Sequence, residues 1–150
     1  MSCYIHIFDK TPIQLWGLSS SQRIRRELEW ELSSLKGKDS ALVSAGTIEF
    51  VDDLQQVPAE AEVVLFRGDY LYDVRIITNL IGAADTLLQV SEDGAGVTVA
   101  AHTGTATAAE VMEYIRGNDQ ELPGKFNIET PDTLVPKTQI RLKKAHAAFV

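Results

Sequence analysis

Three short stretches hold the residues best suited to chemistry. In the first, EVVLFRGDYLYD (62–73), an apolar run ends on Arg67, Gly68 and Asp69. A carboxylate fixed just after a buried strand is a hard oxygen ligand, suited to Mg²⁺ carrying nucleotide phosphates. Gly68, lacking a Cβ, admits a ligand close to the backbone. Asp69 equally suits the cap of a helix beginning near Tyr70. The second stretch is LWGLSSSQRIRREL (15–28), where Gly17, Ser19, Ser20 and Ser21 precede Arg23. Hydroxyls, the N–H groups of a helix start and a guanidinium one turn in would all suit phosphate oxygens. The same residues also describe an ordinary capped helix whose arginines face solvent or stack on Trp30. The third is FNIETPDTL (126–134). Asn127 and Glu129 flank Ile128 at strand period, so they share a face while Ile128 turns into the core. Read structurally, this is a strand edge followed by a helix start at Thr130 and Pro131.

The elements that must position these residues alternate between strand and helix, the pattern of an α/β fold. YIHIF (4–8) reads as the first strand. A helix follows from Ser19, with Ile24, Leu28, Leu32 and Leu35 on one face and Ser19 and Gln22 at capping-box spacing. Residues 41–51 read as one strand or a bent pair, and DDLQQVPAEA as a loop or short helix. VVLF (63–66) is a buried strand, and a helix is expected from Tyr70 to Gly82, burying Val74, Ile77 and Ile81. DTLLQV and GVTVAAH are two strands joined by a SEDGAG hairpin. Thr107 and Glu110 have the spacing of a second capping box, FNI of a last short strand, and Pro131 the first position of a closing helix. Pro136 breaks that helix, and a further helical piece from Lys137 would align Lys137, Arg141 and Lys144.

Composition narrows the function classes. The 150 residues suit one domain with a sizeable core, and the net charge is −7. The last 15 residues carry +4 and no acid, leaving −11 for the other 135. An acidic body argues against nucleic-acid binding, while the basic end suggests an anionic membrane surface, a partner, or a solvated helix face. No stretch is long and apolar enough for a membrane span, and MSCYIHIF lacks a signal-peptide pattern. One cysteine, Cys3, excludes an internal disulfide, fits a reducing compartment and reads as a small buried hydrophobe. His6, His102 and His146 have no metal-ligand spacing, and AHTGTAT lacks the lysine of a phosphate loop. Trp30, Tyr70 and Tyr72 are candidate anchors for a protein interface.

In order, the three stretches resemble the sugar-nucleotide type of nucleotidyltransferase. More closely, they resemble the cytidylyltransferase-like domain that precedes CDP-alcohol phosphatidyltransferase membrane domains. The resemblance runs from about residue 4 to 135. It implies a Rossmann-like three-layer α/β sandwich with a mixed, mostly parallel sheet over 1–135, and a basic helix over 136–150 leading toward a membrane domain. It implies that Gly17, Ser19, Ser20, Ser21, Arg23 and Gly68 hold the nucleotide, and that Asp69, with Asn127 and Glu129, holds Mg²⁺. The implied ligand is CTP or a CDP-linked nucleotide, and the implied place is the cytoplasmic side of a membrane in phospholipid synthesis. The sequence has one glycine where the family has a denser loop, lacks the Pro-Lys pair beyond it, and has Asn127 where a second Asp is usual. These departures imply a degenerate transferase domain with a regulatory or scaffolding role. The alternatives are an active Mg²⁺-dependent cytidylyltransferase acting on a sugar or polyol phosphate, and an interaction domain forming a homodimer.

Overall fold

The computed structural model describes residues 2–8, 22–26, 29, 47–68, 70–72, 74–92, 94–117, 121–134 and 143–144. Their strands are β1 (Ser2–Phe8), β2 (Thr47–Phe50), β3 (Glu62–Arg67), β4 (Tyr70–Leu71), β5 (Thr86–Glu92), β6 (Ala95–Gly104), β7 (Asn127–Glu129) and β8 (Lys143–Lys144). The helices are α1 (residues 22–26), α2 (Val74–Ile81), α3 (Thr105–Ile115) and α4 (Pro131–Leu134), with a 3₁₀ turn at Leu54–Gln56.

Val63, Val64, Leu65 and Phe66 are all fully buried, so β3 has apolar side chains on both faces rather than an alternating pattern. That is the signature of a strand covered on both sides. β3 lies inside a six-stranded sheet ordered β2-β1-β3-β6-β5-β7. β1 pairs in parallel with β2 and β3, and β5 in parallel with β7, while β6 runs antiparallel to both neighbours. The sheet is therefore mixed and mostly parallel, and the class is α/β. On one face, Ile5, Val64, Phe66 and Leu88 pack with Ile76, Ile77, Leu80 and Ile81 of α2 and with Ile24 of α1. On the other, Val63, Leu65 and Leu87 pack with Ala108, Val111 and Ile115 of α3. The central β6 presents Ala100 to the first cluster and Ala101 to the second, small side chains that let helices approach from both sides. The β5–β6 hairpin turns at Gly94, whose φ of 83° favours glycine.

Several expectations hold. The strands at 4–8, 63–66, 85–90 and 96–102 are present, the short helix after Asp53 is a 3₁₀ turn, and Pro131 opens α4. At α4, the Thr133 N–H donates to Thr130 Oγ1 at 3.3 Å and the Thr130 N–H to Thr133 Oγ1 at 2.7 Å, a reciprocal cap.

Four expectations are corrected. Tyr70 and Leu71 are not helical; they form β4, which pairs with β8, and α2 starts at Val74. Residues 143–144 are extended, because they complete that ladder, so Lys144 does not continue a helical face from Lys137. α3 begins at Thr105 rather than at a Thr107–Glu110 box. Its first N–H donates to the Ala61 carbonyl, and the Thr105 hydroxyl lies 2.8 Å from the same oxygen. Ile128 is 57% exposed rather than buried, because β7 is the edge strand and pairs only with β5.

Candidate functional site

β1 sits between β2 and β3. The chain leaves β1 for β2 on one side, then crosses to β3 on the other. Strand order reverses there, and in open α/β sheets the crevice at such a reversal, beyond the carboxyl ends, is where ligands bind. The two segments bordering it are those following Phe8 and following Arg67. They are tied together: the Gly68 N–H donates to the Phe8 carbonyl at 2.7 Å. Gly68 is buried, and its N–H is spent on this bond.

Aromatic rings and cations surround this edge. The Arg67 guanidinium lies 5.4 Å from the Tyr70 ring centroid, and that of Arg116 lies 5.3 Å from the Phe8 ring. Arg116 also bonds Glu113 at 2.8 Å. Cation–π contacts of this length fix a guanidinium's plane without neutralising it. Below the edge, the Tyr72 hydroxyl lies 2.8 Å from the Arg67 carbonyl and 3.1 Å from that of Val99, which anchors the end of β3 to β6. Tyr70 and Tyr72 are 3% and 6% exposed, so they are core residues and not interface anchors. β8, carrying Lys143 and Lys144, is paired through its backbone to β4, immediately beyond Gly68.

The sequence-predicted residues divide. Gly68 stands at the β1–β3 edge, and Arg23 is half-buried in α1. Gly17, Ser19, Ser20, Ser21 and Asp69 lie outside the described residues, as do Trp30, Lys137 and Arg141. Asn127 and Glu129 are elsewhere, on edge strand β7, with β6 and β5 between them and β3. At roughly 4.8 Å per strand, that is about 14 Å across the sheet. The described donors therefore assemble no Mg²⁺ site at the end of β3. Among the described residues, no group of three His, Cys, Asp or Glu side chains could hold a metal.

Asn127 and Glu129 instead line a cleft of about 390 Å³ with Asn79, Thr86, Thr133 and Leu134. Its wall is the C-terminal end of α2, at Gly82 to Ala84. Asn79, Thr86 and Thr133 were not legible as site residues, because neutral polar side chains from three separate elements give no sequence spacing to recognise. Beneath α2, His102 lies one strand inward of Thr86 in the same register row. Its Nδ1 donates to the Leu80 carbonyl at 2.9 Å, while its buried Nε2 has no hydrogen-bond partner among the described residues.

Among the described residues, no helix is long and apolar enough to cross a membrane. Compared with protein-family models, curated proteins and solved structures, the chain matches none.

Proposed function

We propose that this chain is a cytidylyltransferase-like, nucleotide-binding domain with a Rossmann-like three-layer arrangement. It holds the phosphates of CTP or a CDP-linked nucleotide above the carboxyl ends of β1 and β3. The observation that carries the reading is the order reversal at β1, bridged by the bond from Gly68 to Phe8. It brings the carboxyl ends of β1 and β3 together, and from these strands the Ser-Arg segment and the Gly-Asp pair continue. In this reading Ser19, Ser20, Ser21 and Arg23 bind phosphate oxygens, and Asp69 would hold a Mg²⁺ ion carried by those phosphates. The sparse glycine loop favours binding with a regulatory or scaffolding role over transfer chemistry. As the soluble part of a CDP-alcohol phosphatidyltransferase, the domain would face the cytoplasmic membrane surface.

The test is calorimetric titration of CTP with and without Mg²⁺, beside an Asp69→Ala variant. Saturable, Mg²⁺-dependent heat is expected, with the variant binding about tenfold or more weakly, the equivalent of one charge-assisted contact. No heat at millimolar CTP, or equal binding by the variant, overturns the reading.

A further inference from the structure

The cleft at β7 is far from the proposed nucleotide edge. It opens where α2 ends and where β5 and β7 begin, at Thr86 and Asn127. At about 390 Å³ it falls within the size range of small-molecule sites.

The charged side chain in its described lining is a carboxylate. Glu129 is half-buried, and among the described residues its carboxylate pairs with no cation. Among the described residues, no cationic side chain lines the cleft. The facing wall is the C-terminal end of α2, which carries about half a negative charge from its aligned peptides. A cation in the cleft would meet both the carboxylate and that helix end. The remaining groups are neutral and have unused capacity. The amide of Asn79 donates to the Arg75 carbonyl at 2.7 Å, which leaves its oxygen available. The Thr86 hydroxyl donates to the Ala84 carbonyl at 3.0 Å and can still accept. Asn127 makes no side-chain hydrogen bond among the described residues. In register, Asn127 stands beside Thr86 and Thr86 beside His102, which lies behind the cleft rather than in its described lining.

We propose that this cleft binds a small organic ammonium ion that also carries hydroxyl groups, of the amino-sugar class. Glu129 and the end of α2 take the charge; Asn79, Thr86 and Asn127 take the hydroxyls. Phosphates and carboxylates are repelled by the same field. This site is independent of the nucleotide reading, since it shares no described residue with the β1–β3 edge.

The probe is glucosamine, followed by backbone amide NMR, with N-acetylglucosamine as the uncharged analogue. Saturable shifts are expected for Asn79, Thr86, Asn127, Glu129 and Thr133 with glucosamine, and weak or no shifts with the acetylated sugar. Glu129→Gln should bind glucosamine about tenfold less tightly. Its melting temperature should not fall below that of the parent protein, because among the described residues the side chain makes no internal pair. Equal shifts from the two sugars, unchanged affinity in the variant, or no shifts at tens of millimolar glucosamine would each overturn the proposal.

Discussion

Phe66→Ala is expected to lower the unfolding free energy by about 3–5 kcal/mol, the range for emptying a fully buried phenyl site. Phe66 has no exposed surface and is the largest of the fully buried side chains. Its ring meets Tyr72 edge-on, with centroids 5.0 Å apart and planes at 70°. The loss therefore includes an aromatic pair, worth about 0.5–1.5 kcal/mol of that total. Phe66 is also two residues from Gly68, so the cavity opens beneath the proposed nucleotide edge. Urea denaturation measures the effect. A loss below about 1 kcal/mol would mean that the helical layer on that face collapses onto the vacancy, contrary to the close packing described.

The second large effect lies at alkaline pH. Burial, and then the neighbouring Glu62 carboxylate, push the Cys3 thiol from its ordinary 9.0 up to about 12. Glu62 is directly opposite Cys3 in the β1–β3 register. The folded chain keeps the proton while the unfolded chain loses it above pH 9. The unfolded state then binds fewer protons, so stability falls as pH rises. The contribution is constant below pH 9 and declines by about 1.4 kcal/mol per pH unit above it, reaching about 4 kcal/mol by pH 12. Comparing urea stability of the parent and Cys3→Ala between pH 8 and pH 10.5 isolates it. The parent should lose about 2 kcal/mol more than the variant over that interval. Parallel pH profiles would show that the thiolate is not disfavoured by folding.

The parts of the fold legible in the sequence are those decided locally. Val63 to Phe66 announced a doubly covered strand through uninterrupted apolarity, and the glycines around Asp93 announced a hairpin through turn chemistry. Tyr70 and Leu71 were misread because their partner is Lys143–Lys144, more than seventy positions away; a helical pattern gave way to a tertiary ladder. Ile128 was misread because being at the sheet edge is a property of topology, and its own alternation with Asn127 and Glu129 is the same at an edge or a centre. The start of α3 was misplaced because the Pro58 and Ala61 carbonyls, not its own box, receive the Thr105 hydroxyl. At the candidate site, the order of the Ser-Arg and Gly-Asp segments was legible. The reversal between β1 and β3 was not, since strand order is absent from a linear chain. Asn127 and Glu129 were correctly seen as sharing a face, but the face belongs to a separate cleft.

The hairpin at the sheet's centre also bears on the order of assembly. β5 and β6 are the one pair of neighbouring strands in the six-stranded sheet joined by a tight turn; β1, β2, β3 and β7 reach their partners across long intervening segments. Loop-closure entropy makes the short connection the cheapest to close. The hairpin should therefore form in the transition state, with β3 and β7 adding to its two edges and β1 and β2 following. Val97→Ala would then slow folding, whereas Ile5→Val would mainly speed unfolding; the reverse pattern in stopped-flow kinetics would exclude this order. The two-residue β4–β8 ladder would close last and open most readily. Its amides should exchange with solvent long before those of β3 and β6, so β8 can leave and rejoin β4 beside the proposed nucleotide edge while the core stays shut.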